Sequence, residues 1–252
     1  MSILVARAVT KTFAGITALN EVDLDVGDGE IVGLIGPNGA GKTTLFNCLL
    51  GMLKPDRGTI TFRDHDLAGV PTFRRARLGI GRTFQRVELF SGLTVREHLL
   101  VAERAHRGDG RLWKDVVGRG RATVEEQRRA QDTLDLLGLE RDADRPVEAL
   151  SLGRARLVEM GRALMTDPPL LLLDEPSSGL DHHETHELAG VLRQVNAERG
   201  SAILLVEHDV AMVRELVTRV FVLDFGTMIA SGATAEVFAD AAVRKAYLGV
   251  VQ

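Results

Sequence analysis

A glycine-rich stretch early in the chain contains residue types, at a fixed spacing, that are suited to binding phosphate groups. It consists of Gly36, Pro37, Asn38, Gly39, Ala40, Gly41, Lys42 and Thr43, and Thr44 follows it. The three glycines allow backbone N–H groups to turn toward an anion, and a helix beginning here adds the positive end of its dipole. Lys42 can then reach the terminal phosphates, and the Thr43 hydroxyl can bind a magnesium ion that bridges them. The stretch therefore predicts a nucleotide site.

Two acidic residues form a second candidate group. Asp174 and Glu175 directly follow the aliphatic run at residues 170–173. Beside a phosphate-binding loop, Asp174 can hold magnesium through water, and Glu175 can orient or deprotonate the water that attacks the terminal phosphate. The alternative is that both carboxylates only offset the charge of Lys42. The residues by themselves leave both interpretations open.

The apolar pattern indicates the elements that must position these groups. Apolar residues 31–35 precede the glycine-rich stretch and an apolar segment from Leu45 follows it, which gives strand, loop and helix in the required order. Three further largely apolar runs predict strands of a parallel sheet: residues 170–173, 202–206 and 219–223. Ligands bind at the carboxyl ends of strands in open α/β sheets. We therefore expect the polar residues after these runs at the same edge as the glycine-rich stretch.

The rest of the chain shows two kinds of pattern. Residues 4–30 alternate apolar and polar side chains with a turn at 27–30, which predicts an antiparallel strand pair, and residues 59–62 predict a further strand. Helical periodicity dominates residues 72–165, which indicates an inserted helical subdomain. We predict one α/β domain over residues 1–252, in which 1–71 and 166–252 form a mostly parallel core sheet with an antiparallel β part.

Composition and charge exclude several classes of protein. Of 252 residues, 45% are hydrophobic and 26% are charged, as in an ordinary globular protein. No apolar run approaches the ~18 residues of a membrane helix. A net charge of −4 argues against broad nucleic-acid binding, and Cys48 as the only cysteine excludes an internal disulfide. The first residues lack the pattern of a secretory signal, so we expect a cytosolic location.

Six motifs, taken together and in this order, resemble those of one family. They are residues 36–43, Thr83-Phe84-Gln85, Leu150-Ser151-Leu152-Gly153, residues 170–176, Ser178-Gly179-Leu180-Asp181 and His208. The set resembles the ATP-binding subunit of ABC transporters, and the resemblance covers essentially the whole chain. It implies a P-loop NTPase fold of the ABC ATPase type, ATP hydrolysis, and ATP and Mg²⁺ as cofactors.

The resemblance also implies roles within one nucleotide site. Phe13, whose spacing alone favours packing within the sheet, becomes the platform for the adenine ring. Gln85 becomes the residue that senses magnesium and the attacking water, so that Thr43, Gln85 and Asp174 (through water) form the metal site. His208 becomes a switch that contacts the terminal phosphate beside the catalytic Glu175.

Other motif residues are implied to act across a dimer of two such subunits. Asp181 belongs to a loop that crosses the interface, while Ser151 and Gly153 complete the site of the opposite subunit. The usual motif is Leu-Ser-Gly-Gly-Gln, and this chain has Leu152 in place of the first of the two glycines and Arg154 in place of the glutamine. The sequence leaves open how these two changes affect the half-site, and whether the partner is an identical or a related chain.

Further stretches resemble one branch of the family. Residues 79–85, 89–90, 93–95 and 246–249 are similar to ATPases that import branched-chain and other hydrophobic amino acids. The ATPase of lipopolysaccharide export is the alternative, although the extra residues between Glu103 and Gln127 fit the importer better. The branch implies two permease subunits, a second ATPase subunit and, indirectly, a solute-binding protein, at the cytoplasmic face of the membrane.

A different class of function is a soluble ABC-type ATPase that acts on DNA or ribosomes. Such proteins usually carry two ATPase halves or long coiled-coil arms, and the chain shows neither an internal repeat nor sustained heptads. A phosphate-loop kinase or GTPase would not explain Ser151, Gly153 or His208. The transported solute is not encoded in any of these motifs.

Overall fold

A six-stranded sheet forms the centre of the structure, a computed structural model that describes residues 1–83, 88–107 and 122–248. Its strands are β3 (Ile31–Ile35), β6 (Ile80–Arg82), β7 (Leu170–Asp174), β8 (Ala202–Val206), β9 (Arg219–Asp224) and β10 (Thr227–Ala233). They lie in the spatial order β10-β9-β3-β8-β7-β6, and every neighbouring pair is parallel except β10 with β9. The predicted, mostly parallel core sheet is confirmed.

A second sheet is antiparallel. Its strands are β1 (Ser2–Phe13), β2 (Ile16–Gly27), β4 (Arg57–Phe62) and β5 (His65–Asp66), in the order β2-β1-β4-β5. The first two form the strand pair predicted from residues 4–30, and β4 contains the predicted strand at 59–62. The antiparallel β part is thus also confirmed.

The helices surround the central sheet. They are α1 (Lys42–Leu50), α2 (Thr72–Leu78), α3 (Val95–Arg107), α4 (Val124–Leu136), α5 (Leu152–Leu164), α6 (His182–Arg199), α7 (Val210–Leu216), α8 (Thr234–Ala239) and α9 (Ala241–Leu248). Within the described ranges, none of them is long and apolar enough to cross a membrane. Helices α2 to α5 lie in the range 72–165, and so does β6 of the central sheet; the proposed division into subdomains stays a prediction.

The continuous apolar runs are explained by burial on both faces of the central sheet. In β7, Leu171 and Leu173 pack into one cluster with residues of α3 to α7, whereas Leu170 and Leu172 pack into a second cluster with α1 and the antiparallel sheet. A strand buried on both faces needs apolar residues at every position. The sheet therefore places the polar residues that follow each strand at its carboxyl edge.

Three strands were not predicted from the sequence. β5 and β6 span two and three residues, which is too short for an alternating pattern to be recognised. β10 contains Gly232, and most of its residues are only half-buried because it lies at the edge of the sheet. β5, β6 and β10 are strands because they pair with neighbouring strands, and the local sequence does not reveal those partners.

Candidate functional site

The glycine-rich stretch forms the connection between β3 and α1, as predicted. Gly36 and Gly41 have φ angles of 155° and 103°. A Cβ atom at Gly36 would collide with the carbonyl oxygen of Leu223, and one at Gly41 would lie 2.6 Å from that of Ala18. Both positions therefore require glycine, because any side chain would meet the neighbouring backbone as well as an unfavourable φ.

Lys42 lies in the first turn of α1 and is almost completely buried, with 6% of its surface exposed. Its ammonium group donates to the carbonyl oxygens of Gly36 at 2.7 Å and Pro37 at 3.0 Å. Burial lowers the pKa of Lys42, while the charges of Glu175 and Asp174 oppose this shift. The loop thus surrounds the positively charged side chain of Lys42, which interacts electrostatically with both Asp174 and Glu175.

Asp174 ends β7 and lies in an environment that disfavours its charged form. Burial, followed by the charge of Glu175 and finally that of Glu207, raises its pKa from 3.8 to about 6, and Lys42 acts in the opposite direction. A divalent cation would offset this unfavourable charge, and carboxylate and hydroxyl oxygens are ligands that Mg²⁺ prefers. Thr43, in the same turn as Lys42, is exposed and can offer such a hydroxyl. These residues fit the predicted magnesium site.

Glu175 and His208 come together although they lie far apart in sequence. The Nδ1 atom of His208 is 4.0 Å from Oε1 of Glu175. The backbone of Glu175 is left-handed, with φ of 47°, and its N–H donates to the carbonyl oxygen of Val206 at 2.8 Å. β8 lies between β3 and β7, so the residues that follow these three strands meet at one edge of the sheet.

Phe13 ends β1 and is more exposed than a residue packed in a sheet core. Its exposed fraction is 43%, and the ammonium group of Lys11 lies 5.4 Å from the centre of its ring. The adjoining β2 runs beside the phosphate-binding loop, since the carbonyl oxygen of Ala18 faces Gly41. An exposed ring at this hairpin is available for stacking, and its role as adenine platform stays a prediction.

Gln85 lies outside the described residues, so its predicted roles in magnesium binding and catalysis also stay predictions. The nearest described residue before it is Thr83, whose N–H donates to the carbonyl oxygen of Leu172 in β7 at 3.2 Å. Thr83 itself therefore lies alongside β7, the strand that ends in Asp174.

The residues predicted to act across a dimer lie at the beginnings of two helices. The Ser151 hydroxyl caps α5 by accepting from the N–H of Arg154 at 3.3 Å. Asp181 caps α6 through a reciprocal pair of hydrogen bonds with Glu184, and Gly153 lies against the side chain of Glu184. The Arg154 guanidinium donates to the carbonyl oxygen of Gly138 at 2.5 Å. The Arg154 side chain, near the start of α5, therefore contacts the segment that follows α4 in the same chain.

Comparison with known proteins decides the family. The profile of the ABC transporter family matches residues 19–178, which is more than half of the chain and includes the phosphate-binding loop and Glu175. This chain belongs to the ABC transporter family. In this ABC transporter protein, residues 227–251 also match the profile of the branched-chain amino acid ATP-binding cassette transporter.

Similar proteins align over nearly the whole chain. It is 42% identical to the high-affinity branched-chain amino acid transport ATP-binding protein LivG of Salmonella typhimurium, covering 98% of each chain. It is 37% identical to BraF of Pseudomonas aeruginosa, which has the same description and the same coverage. The crystal structure of an ATP-binding cassette of an ABC transporter in its ADP conformation superposes with a TM-score of 0.87 at 32% identity, covering 99% of each chain. The predicted ABC ATPase fold, the binding of ATP and its hydrolysis are confirmed.

One residue of this ABC ATPase was not assigned a role from its sequence. Glu207 follows β8 directly and precedes His208, and its side chain is completely buried. A charged residue at the end of a fully apolar strand is a signal that could have identified it, since buried carboxylates need hydrogen-bond donors.

Replacing Asp174 with asparagine is expected to raise the thermal unfolding midpoint of the ABC ATPase at neutral pH, without nucleotide or magnesium. The native fold raises the pKa of Asp174 from 3.8 to about 6, so the folded state loses stability as pH rises through this window. We expect a gain of about 1 kcal/mol after allowing for partial exposure, or about 2–4 °C.

The difference between the Asp174→Asn variant and the wild type should shrink as pH falls and disappear by about pH 3, below the unfolded-state pKa of 3.8, where the aspartic acid is neutral in both the folded and the unfolded state. Calorimetry across this pH range measures the effect. A gap between the two proteins that does not change with pH would contradict the assigned cause of the pKa shift.

Proposed function

We propose that this chain is the ATP-hydrolysing subunit that powers an ABC importer for branched-chain amino acids, other small amino acids or related polar solutes. The observation that carries the catalytic part is the meeting of Lys42, Asp174, Glu175 and His208 at one edge of the sheet. The branch is supported by the names of the relatives and by the profile match at residues 227–251. These similarities favour the importer over the lipopolysaccharide-export alternative.

Each residue of the site has a distinct task in hydrolysis. The glycine-rich loop and Lys42 bind the phosphates, and Glu175 orients or deprotonates the attacking water. His208, beside Glu175, contacts the terminal phosphate. Thr43, and Asp174 through water, would hold Mg²⁺, which when bound would supply charge neutralisation on the phosphates. Phe13 stacks under the adenine ring.

A second ATPase subunit completes the site. The chain carries one copy of each motif, and Ser151 and Gly153 lie at the start of α5 rather than on the strands that hold Lys42 and Glu175. In a head-to-tail dimer these residues close the partner's site, and Asp181 lies at the interface. ATP drives opening and closing through its different affinity for the two states. For this branch we favour a related rather than an identical partner chain.

A groove on the helical side is suited to receive a permease segment at the cytoplasmic face of the membrane. It has a volume of about 400 Å³ and lies between α2, α3 and α5. Phe73, which lines it, and Phe90 beside it are 58% and 54% exposed. Arg162 links the groove to Phe90, since its guanidinium donates to the carbonyl oxygen of Glu88 at 2.6 Å and lies 5.3 Å from the Phe90 ring centre. Exposed aromatic side chains in a groove commonly anchor a partner.

The proposal is tested by reconstituting the subunit in liposomes with two permeases and a solute-binding protein of a branched-chain amino acid importer. Hydrolysis is expected to increase when the binding protein carries a branched-chain amino acid. Phe73→Ser should weaken permease binding by about 10-fold to 150-fold, since burial of a Phe ring contributes about 1.5–3 kcal/mol.

The isolated Phe73→Ser subunit should hydrolyse ATP at the wild-type rate, because the groove lies away from the nucleotide site. Val124→Ser, at another exposed apolar residue, is the matched control and should behave like the wild type. Stimulation by lipopolysaccharide-transport components and not by amino acid would overturn the proposed cargo. Normal permease binding by Phe73→Ser would overturn the docking groove alone.

A further inference from the structure

The side chain of Glu207 is a completely buried carboxylate at the centre of the candidate site. It directly follows β8, which lies between β3 and β7, and its N–H donates to the carbonyl oxygen of Leu34 in β3 at 3.3 Å. One neighbouring strand therefore leads to the phosphate-binding loop, and the other leads to Asp174 and Glu175. Glu207 therefore lies between the phosphate-binding loop after β3 and the loop after β7, at the start of the loop after β8.

The two carboxylate oxygens of Glu207 accept hydrogen bonds from two different loops. Oε1 accepts from the N–H of Ser177 at 2.9 Å, in the loop after β7. Oε2 accepts from the N–H groups of His208 at 3.0 Å and Asp209 at 3.3 Å, in the loop after β8. Hydrogen bonds to an ionised carboxylate are stronger than those between neutral groups. One side chain thus holds two loops together.

These two loops carry the residues predicted to act on the terminal phosphate. Ser177 lies two residues after Glu175, and Ser178 donates from its N–H to the Glu175 carbonyl oxygen at 3.0 Å, which closes a tight turn. The other loop carries His208, whose Nδ1 lies 4.0 Å from Glu175 Oε1 and 3.8 Å from Glu207 Oε2. The separation of Glu175 and His208 therefore depends on the contacts of Glu207.

We propose that Glu207 is a positioning residue for ATP hydrolysis, which fixes the loop of Glu175 relative to the loop of His208. It acts through these two residues and does not itself contact the phosphates. This inference rests on the proposed function, since it assigns Glu175 and His208 their catalytic tasks. A displacement of about 1 Å at a catalytic group can reduce the rate about 100-fold, so the position of these loops directly affects hydrolysis.

A purely structural role is the competing explanation, because any buried carboxylate with three donors also stabilises the fold. Glu30 provides a matched control for this purely structural role. Its carboxylate accepts from the N–H of Gly27 at 2.7 Å and from the Arg219 guanidinium at 2.8 Å, and it precedes β3 at the opposite end of the sheet. Glu30 is therefore, like Glu207, a carboxylate held by hydrogen-bond donors, but it lies away from the loops of Glu175 and His208.

The test compares Glu207→Gln, Glu207→Asp and Glu30→Gln with the full-length wild type. The glutamine keeps the size of the side chain and replaces one acceptor oxygen with a donor, and the aspartate keeps the charge but is too short to reach both loops. Both Glu207 variants should lower kcat by about 10-fold to 100-fold, while the Kd for ATP changes by less than about twofold. Glu30→Gln should lower the unfolding midpoint with kcat unchanged.

Rates are expressed per nucleotide-binding site, determined by titration, so that any unfolded fraction does not affect kcat. In a His208→Ala background, Glu207→Gln should lower kcat by a smaller factor than in the wild type, because the two residues act together. Equal factors in both backgrounds, or an unchanged kcat in both Glu207 variants, would overturn the proposal. A wild type that does not hydrolyse ATP would instead overturn the proposed function.

Discussion

Replacing Lys42 with alanine is expected to weaken ATP binding by at least about 100-fold, which corresponds to about 3 kcal/mol for a charge-assisted contact with phosphate. Lys42 is buried in the phosphate-binding loop, so no solvent-exposed cation replaces it readily. Titration calorimetry with ATP and Mg²⁺ measures the effect. Lys54→Ala, at an exposed lysine shortly after the other end of α1, is the control and should bind like the wild type.

The Lys42→Ala variant has a second expected consequence, which does not involve nucleotide. The charge of Lys42 lowers the pKa of Asp174, so its removal should raise that pKa further above its present value of about 6. NMR titration of the carboxyl carbon can follow this change. An unchanged ATP affinity would show that the loop is not the nucleotide site, and an unchanged Asp174 pKa would show that the two side chains do not interact.

Replacing Glu175 with glutamine is expected to reduce the rate of ATP hydrolysis by about 10²-fold to 10⁴-fold, the range of a general base, while leaving ATP affinity close to that of the wild type. Glutamine has the same shape, and two backbone hydrogen bonds at this position do not depend on the side chain: the N–H of Glu175 with Val206 and its carbonyl oxygen with Ser178. Single-turnover hydrolysis and nucleotide titration measure the rate and the affinity separately.

Slow hydrolysis should also retain the closed dimer of Glu175→Gln in the presence of ATP and its partner subunit, which sedimentation analysis detects. Glu198→Gln is the control, since Glu198 is an exposed glutamate near the C-terminal end of α6, away from Ser151 and Gly153. A Glu175→Gln variant with the wild-type rate would show that another group activates the water. A variant that binds ATP poorly would indicate a role in binding.

The phosphate-binding loop and the strands around it could be predicted because their signals are local. Gly36 and Gly41 are required by backbone conformation and by the close approach of Leu223 and Ala18, and the motif spacing reflects this requirement. Burial on both faces makes β7 and β8 continuous apolar runs, so the residues after them could be assigned to one edge. The short strand β6 could not be predicted, because its partner β7 lies about 90 residues away in the sequence.

The motifs of the chain were enough to predict the ABC ATPase fold, through the family resemblance, and to predict a nucleotide site with the chemical type of each candidate residue, because motif spacing and order are local features. Three features became visible in the folded structure: the pKa of Asp174 is raised, Phe13 is exposed, and Glu207 joins the loops of Glu175 and His208. Burial, electrostatic fields and contacts between loops each depend on residues that are distant in sequence. No single segment of the chain contains them.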